Sequence, residues 1–63
     1  MSNEMLEFIG TVKAITDDAC LMNIDGVTGW VPESLLDYTD EPIVGKEIRL
    51  DIQEWFAVKK GFL

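Results

Sequence analysis

Asp25 and Gly26 stand between two short runs rich in apolar residues, 19–24 (Ala-Cys-Leu-Met-Asn-Ile) and 27–31 (Val-Thr-Gly-Trp-Val). A two-residue connection between antiparallel strands needs positive φ at its centre, which glycine adopts freely and aspartate tolerates. The pair therefore predicts a tight β-hairpin and commits the middle of the chain to sheet. Strand signals continue on both sides. Phe8, Gly10, Val12 and Ala14 alternate with Glu7, Thr11 and Lys13, a period of two that predicts a strand over residues 7–15, with Ile9 and Ile15 as apolar exceptions. Thr16, Asp17 and Asp18 then read as a turn, because Asp side chains bond nearby backbone. Ile48, Leu50 and Ile52 alternate with Glu47, Arg49 and Asp51 and make the clearest strand in the chain.

Two segments read otherwise. Pro32 has no backbone donor for a ladder, so it is expected to end the third strand and open a short helical turn over residues 33–36. Residues 37–46 follow as an acidic connection containing Pro42 and Gly45. Residues 54–61 carry an acid at the start and Lys59-Lys60 before Gly61, which suits the helix dipole and a left-handed cap. Phe62 and Leu63 are expected to fold back on that helix. The expected fold is mainly β, a β-rich α+β domain spanning residues 1–63. It has about four antiparallel strands, in a small sheet or an SH3- or OB-like barrel, with one short C-terminal helix.

A chain of 63 residues is near the lower limit for a self-sufficient core, since about 60 residues bury only roughly 60% of the unfolded surface. Its 48% hydrophobic content and six aromatics nonetheless separate it from disordered acidic tails. Cys20 is the only cysteine, so no internal disulfide is available, which favours a reducing interior. No apolar run is long enough to span a bilayer, and the stretch MSNEMLEF lacks the positive region of a signal peptide. The expected location is the cytoplasm.

The net charge of −7 is unevenly placed. Residues 14–45 hold seven acids (Asp17, Asp18, Asp25, Glu33, Asp37, Asp40 and Glu41) and no Lys or Arg, while the rest of the chain holds five of each sign. Surface acids often serve solubility alone, but ordinary surfaces mix both signs, whereas a field of one sign steers an oppositely charged partner. These seven carboxylates are the candidate partner-binding residues. Asp37, Asp40 and Glu41, three and four apart, would share one side of a helical turn or compact loop.

Catalytic groups are scarce. There is no histidine and no glycine-rich phosphate loop, and Cys20 sits in an apolar run without a base, which suits a buried structural thiol. Ser34 likewise lacks a base. The pairs Asp17/Asp18 and Asp40/Glu41 do not match the spacing of a calcium loop, so no metal and no cofactor is expected. Trp30 and Tyr38, with the other aromatics, raise the question of base stacking. Five basic residues on a chain of this charge make a poor phosphate groove, and Trp30 and Trp55 read more naturally as core or half-core. The expectation is a non-enzymatic, monomeric binding protein that takes no nucleic acid and no membrane. Its partner would be a basic nucleic-acid-binding protein whose DNA site it occupies with carboxylates in place of phosphates. The alternatives are an OB- or SH3-like accessory module of phage replication or recombination, contacting single strands or a protein through Trp30 and Tyr38, and a structural adaptor with acids for solubility only.

The stretches GWVPESLL and IQEWFAVKKGFL resemble a group of small phage-encoded proteins. In that group a Trp-Val/Ile-Pro-x-Ser step ends a strand and a Trp-x-Ala-x-Lys-x-Gly helix closes the domain. Trp30, Val31, Pro32 and Ser34 fall in the first motif, and Trp55, Ala57, Lys59 and Gly61 in the second. The resemblance covers most of the chain and implies a shared fold. In size, acidity and lack of catalytic residues the protein is also similar to phage anti-CRISPR proteins. That similarity of type implies an inhibitor of a Cas effector in the cytoplasm of a host bacterial cell, with a subunit of a type I complex as its partner.

Overall fold

A computed structural model describes residues 4–63. Five antiparallel strands form one sheet: β1 (Met5–Ile15), β2 (Ala19–Ile24), β3 (Val27–Pro32), β4 (Leu36–Tyr38) and β5 (Glu47–Gln53), in the order β3-β2-β1-β5-β4. A 3₁₀ turn (Glu33–Leu35) links β3 to β4, and a single helix, α1 (Glu54–Lys60), follows β5. The mainly β expectation holds, with five strands instead of about four. None of the described helices is long and apolar enough to cross a membrane.

The connection between β3 and β4 bends the sheet. These are its two edge strands, and in a flat sheet they would lie four strand spacings apart, about 19 Å at the usual 4.8 Å. The four steps from Pro32 to Leu36 reach at most about 14 Å when extended, and much of that stretch is coiled as a 3₁₀ turn. The sheet must therefore curl on itself, although no backbone ladder joins β3 to β4. Inside the curl lie Val12, Cys20, Met22, Ile24, Val31, Ile48, Leu50 and Ile52, and Phe56, Ala57 and Phe62 complete the core from the C-terminal segment. Burying each large aliphatic side chain contributes about 1.5–3 kcal/mol.

Two features of β1 let it serve both halves of the curl. Gly10 is buried at the crossing with β2, and a Cβ there would sit 2.6 Å from Ile24 Cγ1 and 2.8 Å from the Asn23 carbonyl oxygen. Only glycine permits so close an approach of two backbones. Beyond it the register slips: Val12 faces Met22 but Ala14 faces Leu21, so Lys13 is an extra residue in a β-bulge. The bulge reverses the parity of the strand. Ala14, which the alternation assigned to the buried face with Phe8 and Val12, joins half-buried Leu21 on the outer face.

The hairpin at Asp25-Gly26 forms as the sequence predicts, with φ of 54° and 83° at its two turn residues. The β1–β2 turn departs in detail, because Thr16 closes it: its hydroxyl donates to the Ala19 carbonyl and accepts from the Ala19 N–H. Pro32 ends β3 as expected, itself occupying the last paired position, opposite Ala19. It is tolerated there because β3 is an edge strand. The expected turn over residues 33–36 is a 3₁₀ turn over Glu33–Leu35, and Leu36–Tyr38 leaves the expected acidic connection to pair with β5. Gly61 caps α1 at φ 85°. Phe62 folds back to be buried beside Phe8, ring centroids 6.5 Å apart, whereas Leu63 stays 65% exposed.

Candidate partner-binding surface

The seven carboxylates singled out in the sequence separate in space. Asp17 and Asp18 are exposed in the β1–β2 turn, and the Glu33 N–H donates to the Asp18 carbonyl at 2.8 Å, so Glu33 joins them at one end of the sheet. Asp25 is in the hairpin at the opposite end of β2. Asp37 is exposed on β4. Glu41 is exposed in the connection to β5.

Asp40 is neutralised, contrary to the impression of a middle segment without bases. Arg49 of β5 grips it with three donors: Nη2 to Oδ1 at 3.1 Å, Nε to Oδ2 at 3.2 Å, and its backbone N–H to Oδ2 at 2.9 Å. These bonds hold the Asp40 carboxyl below the usual carboxylate range. Thr39 and Asp40 in turn donate their backbone N–H groups to the Arg49 carbonyl. Asp40 therefore fastens the β4–β5 connection.

A different acidic feature appears in the register. Glu7 on β1 is directly opposite Asp51 on β5, and Asp51 is directly opposite Asp37 on β4. Residues directly opposite in a sheet point to the same face, so these three carboxylates form a row across three adjacent strands, at the strand spacing of about 4.8 Å. Arg49–Asp40 is an ion pair, and no ion pair is seen for Glu7, Asp37 or Asp51 among the described residues. Glu7 feels the charge of Arg49, whose guanidinium is engaged by Asp40 first. Only Asp37 of the row belongs to the acid-rich middle of the chain. Glu7 and Asp51 lie in the two ends where charges balance by count, and alternation placed them on polar faces without showing that those faces meet.

The outer face thus changes character from one end to the other. Beyond the carboxylate row, Ile9 is opposite Arg49. Next comes a polar row, Thr11, Asn23 and Thr28, in which the Asn23 amide donates to the Thr28 hydroxyl at 2.7 Å. The last row is apolar: Ala14, Leu21 and Trp30. Trp30 is 43% exposed, which leaves the half-core of its two expected placements and excludes full burial. Trp55 is half-buried as expected, its indole N–H donating to Gln53 Oε1 at 2.6 Å.

Tyr38 faces the other way. It is opposite fully buried Leu50 and packs against the core, and its hydroxyl donates to Glu33 Oε2 at 2.8 Å. Burial first, then the bonds to Glu33 and the Cys20 thiol, keep that hydroxyl protonated far above the ordinary tyrosine range. Burial likewise pushes the Cys20 thiol up, assisted by the nearby Glu33 charge and opposed by Tyr38. Through its bond to Glu33, Tyr38 ties β4 to the 3₁₀ turn that precedes it. Trp30 and Tyr38 lie on opposite faces of the sheet, so they do not form a common stacking platform.

The described residues form no pocket and no cluster of three side chains placed to hold a metal ion. No known protein family, curated protein or solved structure matches this chain.

Proposed function

We propose that this protein is an acidic inhibitor that binds the basic nucleic-acid site of another protein and fills it with carboxylates where phosphates would lie. A type I Cas effector is the target class that its similarity to anti-CRISPR proteins suggests. The observation that carries the reading is the Glu7–Asp51–Asp37 row. Like charges directly opposite across a sheet are destabilising, each pair by a few tenths of a kcal/mol to about 1 kcal/mol. Solubility needs acids scattered at will, not stacked at adjacent positions of three strands. Three charges over about 10 Å give a charge density of the same order as one strand of a duplex, which carries a charge for each rise of about 3.4 Å along the helix axis, and could meet a surface of Lys and Arg side chains. Asp17, Asp18 and Glu33 provide a second acidic cluster at one end of the sheet.

The test is the anisotropy of a labelled duplex bound to a type I DNA-recognition complex as the protein is titrated in. Displacement by the native protein, weakened about tenfold or more in a folded Glu7→Lys/Asp37→Lys variant, is the expected result. Equal displacement by that variant would remove the row from the mechanism, and no displacement by the native protein would remove this target class.

A further inference from the structure

The longer free edge of the sheet belongs to β3, and the geometry points to it as a docking strand for an extended, Lys- or Arg-flanked segment of another protein. None of its residues belongs to the carboxylate row, which runs over β1, β5 and β4. The two-residue hairpin makes Ile24 and Val27 a hydrogen-bonded pair, and the alternation of an antiparallel ladder then turns Val27, Gly29 and Val31 toward β2. Thr28, Trp30 and Pro32 turn their backbone groups outward. The edge therefore presents the N–H and C=O of Thr28 and Trp30 and the C=O of Pro32. No other described backbone group bonds them, and the one side-chain bond in this set, from the Asn23 amide to the Thr28 hydroxyl, leaves the backbone groups free.

Edge strands are usually protected by charged side chains, bulges or brevity. The residues of β3, Val-Thr-Gly-Trp-Val-Pro, carry no charge, its register with β2 is unbroken, and it is twice the length of β4. Pro32 removes a donor only at the last position. Half-exposed Trp30 stands beside the free backbone groups and gives an added strand an apolar side chain to pack on.

Charge selects the occupant. Asp25 flanks one end of the edge, and Glu33 with Asp18 flanks the other. A second copy pairing antiparallel with its Trp30 against Thr28 would set Asp25 opposite Glu33 at both ends, between molecules that each carry −7. A strand with a basic residue at each end meets the same acids favourably. Lys60 is the nearby base, but it crosses β3 on the inner face above Gly29, and its ammonium lies over the Phe56 ring at 5.8 Å.

The test uses the full chain, ¹⁵N-labelled, and a capped peptide of sequence Lys-Thr-Val-Thr-Val-Thr-Lys. Amide exchange at Thr28 and Trp30 should slow about tenfold or more at saturating peptide, while Gly29, already bonded to β2, changes little. The same peptide with Glu at both ends, or with alternate backbone amides methylated, should give no protection. Three results would overturn the inference. These are unchanged exchange at Thr28 and Trp30, equal protection by the Glu-ended peptide, or protection without peptide that grows with protein concentration and so identifies a second copy as the occupant.

Discussion

Gly10 and Gly29 both lie in strand interiors, where glycine ordinarily costs about 0.5–1 kcal/mol relative to alanine, yet they have different reasons to be there. At Gly10 a methyl group would collide with a backbone oxygen and a packed Ile24 side chain, and neither can move without shifting β2. At Gly29 it would meet only Phe62 at 3.4 Å and the Lys60 stem at 3.6 Å, which is ordinary contact. Gly10→Ala should therefore lower stability by about 2–3 kcal/mol, at the upper end of overpacking costs, whereas Gly29→Ala should leave it unchanged or raise it by up to about 1 kcal/mol, within the glycine-to-alanine range. Urea unfolding followed by tryptophan fluorescence checks both. Equal effects would mean that the approach at Gly10 is relieved by movement of β1. For a domain of this size, whose total stability is about 3–9 kcal/mol, the first substitution removes a large share.

The strands of the β2–β3 hairpin, β5 and α1 were legible because each advertises itself locally: a turn pair with positive φ, a period of two, an acid-to-lysine gradient ended by glycine. The rest of the architecture depends on contacts between distant residues. β4 is three residues long, too short to show a period, and follows a proline that reads as a stop. The bulge at Lys13 leaves no mark in the residue types, so Ala14 was given the wrong face. Trp30 reads as core or half-core by its size, and its place on the outer side of an edge strand decides for the more exposed of the two. The same limit hid most of the candidate site. That Asp37 was acidic and exposed was visible, but its alignment with Asp51 and Glu7 requires the β1–β5 and β5–β4 registers. That alignment carries a prediction at the level of the sheet. Asp51 lies between the other two carboxylates, so Asp51→Asn should raise stability by a few tenths of a kcal/mol to about 1 kcal/mol while weakening binding to a basic partner. Thermal unfolding and partner titration of the same sample would check the opposed signs. A fall in stability would show that Asp51 makes a stabilising bond instead of suffering repulsion.

The net charge of −7 acts on the whole molecule in two directions. Folding gathers the acids and their repulsion opposes it, so added salt, by shortening the screening length from about 10 Å at 0.1 M to about 3 Å at 1 M, should stabilise the protein. Binding to a basic surface uses attraction, which the same salt weakens. A rising urea midpoint together with falling affinity as sodium chloride increases is the expected pattern. A midpoint that falls with salt would mean that ion pairs such as Arg49–Asp40 outweigh the repulsion. The arrangement of the strands has a further consequence for how the protein is made. β1 is the first strand to leave the ribosome and takes the centre of the sheet, but its pairing along Met5–Thr11 is with β5, which emerges after every other strand. The β1–β2–β3 meander can assemble early, with one side of β1 and the Phe8 end of the core still bare. Until β5 arrives, the nascent chain holds out an unpaired strand in the middle of its future sheet, so the interval during translation is its most aggregation-prone stage.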